Sequence, residues 1–286
     1  MTAPRLALAV IGDEIGPSLP EMLSFCAEND VRRLDMRTVD GRNLLGMTLE
    51  EVNAVGNALR NAGIEVPCFV SPVLKWAAPG KTPVGGKVDF AFDPKTCPAR
   101  DPLTHAFDVA SVLGATRIRV FSFLRHPDFQ PDGLVESLDQ LANHAMRTDI
   151  TLELENEPVC NIGSVAELAR FFAALPEPSP LLRPLVDIGN SWFMDAPPSD
   201  ADIALLAPQV DLIHLKDKDF AARRAVPLGD GAVPWADELK RLMRGVTVPE
   251  VTASLEIHCF DDARNAAARS VAALRRIAGE IGIEIV

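Results

Sequence analysis

The sequence predicts a closed barrel of eight parallel strands and eight helices, the (β/α)8 TIM barrel. Short apolar runs rich in β-branched residues recur along the 286 residues, and segments of helical periodicity lie between them. Strand alternating with helix is typical of a parallel sheet, and eight such units in a chain of about 250–300 residues match the size of this barrel. A doubly wound open sheet is the competing fold, but no G-x-G-x-x-G motif follows the first strand.

The predicted strands share a high content of β-branched and other apolar residues. In chain order they cover residues 6–12, 31–37, 64–71, 116–122, 150–156, 184–190, 210–217 and 252–258. The clearest predicted helices cover residues 49–63, 103–115, 133–146, 165–175 and 261–280. The first of these helices has Thr48 as a candidate N-cap and Gly63 as a stop signal.

The connection after the third strand is much longer than the others. Residues Pro72 to Pro102 are rich in proline, glycine and lysine. In a barrel this segment lies on the face formed by the carboxyl ends of the strands, where the active sites of such barrels are found. A loop of this length is usually a lid or a binding loop. No break in composition marks a second domain, so we expect residues 1–286 to form one domain.

Composition and charge exclude some classes of partner. The chain is 48% hydrophobic and 24% charged, and its formal net charge of -12 argues against binding a nucleic-acid backbone. The five cysteines are scattered without a C-x-x-C pair, which is typical of reduced thiols in the cytoplasm. The first residues lack a signal-peptide pattern, and no apolar run approaches a membrane span. We therefore expect a cytoplasmic protein with a small polar substrate, free of nucleic acid and membrane. The sequence leaves open whether it forms a homo-oligomer.

Polar side chains mark the ends of four consecutive predicted strands. Side chains alternate between the two faces of a strand. In the fifth strand Glu153 and Glu155 therefore point into the barrel, and Leu152 and Leu154 point toward the helices. The same position near the end of each strand gives four candidates, which are Glu155, Asp187, His214 and Glu256. Strand ends converge on one mouth in a barrel, so we expect these four side chains to meet.

These four side chains have the chemistry of a metal site. Three carboxylates packed together repel one another and raise one another's pKa values unless a cation intervenes. Three oxygen donors and one imidazole suit Mn²⁺, Mg²⁺, Co²⁺ or Zn²⁺, and an oxygen-rich set favours Mn²⁺ or Mg²⁺. The sequence thus predicts one divalent metal ion at the barrel mouth, with Mn²⁺ as the first choice.

Six segments carry a resemblance to a known family. In chain order they are GATRIRVFS, LELEN, VDIGN, IHLKD, PLGDGAVPW and SLEIH. The chain resembles the xylose isomerase-like TIM barrel superfamily, and within it the sugar phosphate isomerase/epimerase family. The resemblance implies metal ligation by Glu155, Asp187, His214 and Glu256, with Glu155 and Glu256 as paired acid and base. One glutamate would remove the proton beside a substrate carbonyl, the metal would stabilise the enediolate, and the other would return a proton.

Two positions depart from the pattern of the family's epimerases. Many of those enzymes carry a second histidine shortly after the strand-six aspartate, where this chain has Asn190. Their second strand often ends in Glu-x-Arg, whereas this chain has Asp35-Met36-Arg37. Asn190 can still hydrogen-bond a substrate hydroxyl, but a role that needs an imidazole is lost. These departures bear on the specific epimerase reaction more than on the metal.

Further side chains near the predicted mouth are candidates for binding substrate. They are Arg37, Lys75, Trp76, Asn190, Lys216 and His258. Arg37 and Lys216 face the mouth, where either can bind a substrate oxyanion or phosphate. Lys75 and Trp76 lie in the long loop, and the indole can form a wall of the pocket. Glu153 is interpreted as half of an ion pair with Arg119 inside the barrel, because an isolated buried charge is costly.

The leading functional prediction is a divalent-metal-dependent isomerase or epimerase that acts on a keto-sugar, a polyol-derived ketone or a sugar acid. The alternative is a lyase that uses the same site to dehydrate an inosose- or dehydroshikimate-like compound. A binding protein without turnover is disfavoured because all four ligand types are present. An endonuclease of the superfamily's DNA-repair type would need more histidines and a basic groove.

Overall fold

The eight predicted strands form one parallel sheet in the computed structural model, which describes residues 3–86, 92–175 and 179–286. The strands are β1 Arg5–Ile11, β2 Leu34–Asp35, β3 Cys68–Phe69, β4 Arg117–Val120, β5 Thr151–Glu155, β6 Leu182–Asp187, β7 Leu212–Leu215 and β8 Glu250–Leu255. Their order in the sheet is β2-β1-β8-β7-β6-β5-β4-β3. The first and last strands pair in parallel, so the sheet curves back on itself.

The barrel closes between β2 and β3, the two shortest strands. Isolated parallel bridges join Arg33 to Glu65 and Met36 to Phe69. Between these bridges the Asp35 carboxylate accepts a hydrogen bond from the backbone N–H of Cys68 at 2.8 Å. A buried side chain thus helps to join the two strands, and the predicted (β/α)8 barrel is confirmed.

Helices surround the strands on the outside of the barrel. They are α1 Leu19–Asn29, α2 Leu49–Asn61, α3 Pro102–Leu113, α4 Pro131–Thr148, α5 Val165–Ala174, α6 Ile188–Phe193, α7 Asp200–Leu206, α8 Trp235–Met243 and α9 Ala263–Ile281. Thr48 caps α2 as predicted, in a reciprocal capping box with Glu51. Gly63 follows the end of α2 with a φ of +70°, a left-handed conformation that favours glycine. None of the helices in the described ranges combines the length and the apolar character that a membrane span requires.

All eight strands end one to three residues earlier than the sequence predicts, and at two of them the structure shows a clear cause. β6 stops at Asp187 because the Asp187 carboxylate accepts the backbone N–H of Asn190 at 2.8 Å and so begins a helix. β7 stops at Leu215, and the segment Asp217–Asp219 turns away to pair with Arg224–Val226 in a hairpin. Both changes occur at the carboxyl ends of the strands, where the chain leaves the sheet to build the mouth of the barrel.

Two apolar regions stabilise the barrel. The larger lies between the sheet and the helices and contains the outward-facing Leu152 and Leu154. The smaller lies inside the barrel and consists of Ile11, Cys68, Val70, Leu185 and Leu212. Toward the mouth the interior is filled by buried polar side chains. The predicted alternation of inward- and outward-facing side chains along the fifth strand is therefore confirmed.

The long connection after β3 contains one short 3-10 turn in its described part, Pro94–Thr96. The connection ends at α3, which begins at Pro102, one residue before the predicted start of the helix. Residues 87–91 of this segment lie outside the described residues. The position of the connection, directly after a barrel strand, places it on the same face as the carboxyl ends of the other strands.

Candidate metal centre

The four predicted metal ligands meet at the mouth of the barrel. Glu155 ends β5, Asp187 ends β6, His214 lies in β7 and Glu256 directly follows β8. Each offers one donor atom, and these atoms all lie within 4.8 Å of one another. That limit is about twice a metal–ligand bond of 2.0–2.4 Å, which is the separation expected for ligands on opposite sides of one ion. All four residues are at most 2% exposed.

Two asparagines hold Asp187 in place. The Asn156 side chain accepts the backbone N–H of Asp187 at 2.9 Å and donates to its carbonyl at 2.8 Å. Asn190 donates its backbone N–H to Asp187 Oδ1 at 2.8 Å and its side-chain Nδ2 to the Asn156 carbonyl at 2.8 Å. Oδ1 of Asp187 is therefore engaged at the start of α6, and Oδ2 is left for the centre. The side-chain donor of Asn190 is likewise engaged with backbone.

His214 turns Nδ1 toward the carboxylates. Nδ1 lies 3.1 Å from Glu155 Oε1 and 3.5 Å from Glu256 Oε2. Burial by itself lowers the pKa of His214, but the facing carboxylates of Glu155 and Glu256 outweigh it and raise this pKa to about 9. At neutral pH and without a metal, Nδ1 therefore carries a proton. A metal ion would bind the same nitrogen, because this nitrogen faces the negatively charged carboxylates.

Arg119 also belongs to this centre, and the expected Arg119–Glu153 ion pair is wrong. Arg119 Nη1 donates to Glu155 Oε2 at 3.1 Å and lies 3.5 Å from Glu256 Oε1. The ion-pair partner of Glu153 is Arg117, at 3.9 Å. Parity correctly places Arg119 inside the barrel beside Glu153. The long side chain, however, carries the guanidinium toward the mouth, where it joins the two proposed catalytic glutamates.

Lys216 and Arg37 supply two further cations, and both contact Glu256. Lys216 Nζ lies 2.8 Å from Asp187 Oδ2 and 2.5 Å from Glu256 Oε2. Arg37 Nη1 lies 3.1 Å from Glu256 Oε1, and its Nη2 lies 2.6 Å from Glu14 Oε1. Both cations are at most 2% exposed. As the residues lie here, the two predicted substrate-binding cations act on the carboxylates of the chain itself.

The contacts of the centre include more negative than positive charge. The carboxylates are Asp13, Glu14, Glu155, Asp187 and Glu256, and the permanent cations are Arg37, Arg119 and Lys216. Among these described residues, and with the histidines neutral, the carboxylates exceed the permanent cations by two charges, which is the charge of one divalent ion. Burial raises the pKa of Asp187 to about 6 against the pull of Lys216. Donor types, spacing and charge therefore fit a divalent cation.

Comparison with known proteins identifies the family of this chain. The sequence profile of the xylose isomerase-like TIM barrel family matches residues 26–277. The chain belongs to this family. A search among curated proteins finds no match to the sequence.

Solved structures with a similar fold align with nearly the whole chain. The IOLI protein, solved with a zinc atom bound, gives a TM-score of 0.71 at 12% identity, covering 96% of this chain and 99% of its own. L-ribulose 3-epimerase gives 0.71 at 14% identity, covering 98% and 96%. The probable 3-DHS dehydratase AsbF of Bacillus anthracis, involved in petrobactin synthesis, gives 0.68 at 18% identity, covering 95% and 98%. At these identities the likeness shows a shared fold.

In this xylose isomerase-like barrel the segment PLGDGAVPW is folded around one carboxylate. Asp217 accepts backbone N–H bonds from Gly229 at 3.0 Å, Gly231 at 3.3 Å and Val233 at 3.2 Å. A Cβ at Gly231 would lie 2.5 Å from the Asp217 carboxyl carbon, so only glycine fits this position. The carboxylate thus ties the loop before α8 to the end of β7, next to Lys216.

Lys75 contacts an aromatic ring that Arg119 of the centre also contacts. Its Nζ lies 4.8 Å from the centroid of the Phe121 ring and 3.3 Å from Glu157 Oε2. The Arg119 guanidinium lies 4.5 Å from the centroid of the same ring. Trp76, the next residue along the loop, is half-buried and packs against Phe92 with ring centroids 6.4 Å apart. Lys75 therefore shares the Phe121 ring with Arg119, and Trp76 packs against the loop that precedes α3.

His258 connects the buried centre to a cavity. Its imidazole Nε2 lies 3.6 Å from Glu256 Oε1, and its backbone N–H donates to Glu14 Oε2 at 2.7 Å. The residue has a φ of +57°, an uncommon conformation for a side chain of this size, and such strain tends to occur at functional sites. His258 also lines a cavity of about 600 Å³ together with Arg224 and Phe260.

The atoms of Glu14, Glu256 and His258 are also close enough to share an ion. The Arg37 guanidinium, however, contacts both glutamates. A fixed positive charge at this place opposes a metal ion, as Arg119 and Lys216 also do at the four-residue centre, but the four-residue set offers one more donor and all of its donors are buried.

Proposed function

We propose that this xylose isomerase-like protein is a divalent-metal-dependent isomerase or epimerase acting on a keto-sugar, a polyol-derived ketone or a sugar acid. One observation carries this proposal. Glu155 and Glu256 lie at the ends of β5 and β8, two strands that are separated by β6 and β7 in the sheet, and a carboxylate oxygen of each belongs to the set of donor atoms that lie within 4.8 Å of one another. Two carboxylates that flank a substrate bound at one metal are placed to serve as an acid–base pair.

Both glutamates are held in their ionised form. Burial raises the pKa of Glu155, but His214 and Arg119 outweigh it and bring this pKa to about 2. Lys216 and His258 likewise hold the pKa of Glu256 well below its usual range, against the effect of burial. In the proposed reaction one carboxylate takes the proton from the carbon beside the substrate carbonyl, and the C–H electron pair moves onto the carbonyl oxygen. The other glutamate, also a carboxylate at the start, first takes a proton from a substrate hydroxyl or from solvent and then delivers it to the opposite face or to the neighbouring carbon.

The metal would be held by Glu155, Asp187, His214 and Glu256. When bound, a divalent ion stabilises the negative charge that develops on the substrate oxygens. Mn²⁺ is our first choice for this oxygen-rich donor set, and the same donors suit Mg²⁺, Co²⁺ and Zn²⁺. The zinc atom of the IOLI protein, which shares the fold, supports a divalent ion in general.

The substrate in this proposal is a small carbohydrate-like molecule. The cavity beside His258, about 600 Å³, is within the range of small-molecule sites, and His258 is the proposed contact residue that lines it. We propose that Arg37, Lys75, Trp76, Asn190, Lys216 and His258 contribute the contacts to such a substrate. Lys216, Arg37 and His258 lie nearest the proposed reacting groups, because all three contact Glu256.

A dehydratase is the second candidate, and the shared fold of the probable 3-DHS dehydratase supports it. The first step would be the same proton removal, but the second glutamate would then protonate a leaving β-hydroxyl instead of carbon. Incubation with candidate keto-sugars in D₂O distinguishes the two. Deuterium at the carbon beside the carbonyl without loss of water supports isomerisation or epimerisation, and an enone or diketone product supports dehydration.

Metal dependence is tested by elemental analysis of the purified protein and of two variants. Glu256→Gln removes a proposed ligand, and Glu153→Gln makes the same substitution at a buried inward-facing glutamate outside the ligand set, whose pKa burial raises well above its usual value. We expect the wild type and Glu153→Gln to retain about one divalent ion per chain and Glu256→Gln to lose it. No bound ion in the wild type, with no gain in activity on adding Mn²⁺ or Co²⁺, would end the proposal.

A further inference from the structure

Lys216 contacts the two carboxylate oxygens of the centre that would otherwise be available to a metal ion. Asp187 uses Oδ1 to accept the backbone N–H of Asn190, and Lys216 Nζ lies 2.8 Å from the remaining Oδ2. Glu256 uses Oε1 for the Arg37 guanidinium, and Lys216 Nζ lies 2.5 Å from the remaining Oε2. The ammonium therefore lies where two of the metal bonds would form.

The backbone around Lys216 is shaped to bring its side chain to this place. A Cβ at Gly189, in the first turn of α6, would lie 2.6 Å from Lys216 Cγ and 2.9 Å from the Lys216 carbonyl oxygen. Glycine is thus required where the lysine stem passes over the helix. The close approach shows that the fold accommodates a buried lysine directed at Asp187, and that this contact is not the chance position of a mobile surface side chain.

An ammonium and a metal ion compete for these oxygens. Metal–oxygen bonds are about 2.0–2.4 Å long, so an ion on Asp187 Oδ2 and Glu256 Oε2 would lie in contact with an ammonium that kept its present place. Two positive centres at such a distance repel strongly in a buried site. In the metal-free protein, by contrast, the ammonium offsets the cost of burying the two carboxylates.

We propose that Lys216 is a placeholder for the divalent cation: its ammonium neutralises Asp187 and Glu256 until a metal ion displaces it toward the substrate side of the mouth. This inference rests on the proposed metal-dependent function. It has two consequences. A metal ion must displace the ammonium in order to bind, so the affinity of the protein for the metal is lower than it would be without Lys216. Metal loading must also precede productive substrate binding, because only the displaced ammonium is free to bind a substrate oxygen.

The test is a comparison of the wild type with Lys216→Met and Lys218→Met. The second variant makes the same change of charge two residues further on, at a lysine whose Nζ lies 4.9 Å from the centroid of the Phe193 ring. For each protein, Mn²⁺ affinity is measured by calorimetry and the melting temperature of the metal-free form by scanning fluorimetry. We expect Lys216→Met to bind Mn²⁺ at least tenfold more tightly and to melt at a lower temperature when metal-free. Lys218→Met should match the wild type in both.

A purely structural lysine would give a different result. Loss of packing alone would lower the melting temperature and weaken Mn²⁺ binding together, and unchanged or weaker binding by a folded Lys216→Met would overturn the inference. If that variant does not fold, limited acetylation of the wild type followed by mass spectrometry provides the test. Modification of Lys216 should increase when Mn²⁺ is added, and equal modification with and without Mn²⁺ would overturn displacement. A wild type that binds no metal contradicts the proposed function itself, which separates the two failures.

Discussion

Replacement of Arg119 by methionine should destabilise the metal-free protein by about 3–5 kcal/mol, the usual cost of breaking a buried ion pair from one side. Arg119 is 1% exposed, and its guanidinium donates to Glu155 at 3.1 Å, lies 3.5 Å from Glu256 and donates to the Ser71 carbonyl at 3.3 Å. The variant leaves two buried carboxylates without this cation. Methionine fills much of the same volume, so the loss reports mainly on charge and hydrogen bonding.

Urea unfolding followed by circular dichroism measures this loss. Arg183→Met is the matched control, because Arg183 is a half-buried arginine 3.0 Å from Asp211, and its removal should cost about 1 kcal/mol or less. Saturating Mn²⁺ should restore part of the stability of Arg119→Met, since a bound ion supplies positive charge to Glu155 and Glu256. A loss below about 1 kcal/mol without metal, equal to that of the control, would refute the inference that Arg119 holds the two glutamates.

Three further predictions follow from the same contacts. The pKa of His214, raised to about 9, means that the metal-free imidazole is protonated at pH 7, so Mn²⁺ binding should release about one proton from this residue. The affinity should then increase from pH 7 toward pH 9 and level off above it. Calorimetry at several pH values in buffers of different ionisation enthalpy measures both quantities, and pH-independent binding without proton release would contradict it. Gly231→Ala should destabilise the protein by about 1–3 kcal/mol, because the new Cβ overlaps Asp217. Gly279→Ala, with open space around its Cβ inside α9, should be neutral or stabilising by up to about 1 kcal/mol. Equal urea midpoints for these two variants would contradict the close packing of the loop. Burial raises the pKa of Cys26 to about 12 and that of Cys68 well above its usual value, so neither thiol should react with iodoacetamide at pH 8 until the protein is unfolded. Rapid alkylation of either thiol in the folded protein, detected by mass spectrometry, would be inconsistent with its burial.

The sequence by itself determined the barrel and the four side chains that meet at its mouth. The period-2 alternation in the fifth strand fixed which side chains face inward, and Leu152 and Leu154 do pack outward while Glu155 points to the centre. The position of Asp187, His214 and Glu256 at the ends of the following strands was enough to bring the four together, because parallel strands of a barrel share one mouth. These features depend on local pattern and on the order of the strands, and a sequence contains both.

Only the tertiary structure decided which cation contacts which carboxylate. Arg119 and Lys216 have long side chains that reach beyond their own level in the barrel, so their partners depend on register and tilt rather than on parity. Arg119 therefore contacts Glu155 and Glu256 instead of Glu153, and Lys216 reaches Asp187 only because residue 189 is glycine. These contacts join strands that are distant in sequence, and their free energies depend on burial and on distances of an ångström or less. For that reason the sequence predicted the donors of the site, whereas its internal charge balance became visible only in the folded chain.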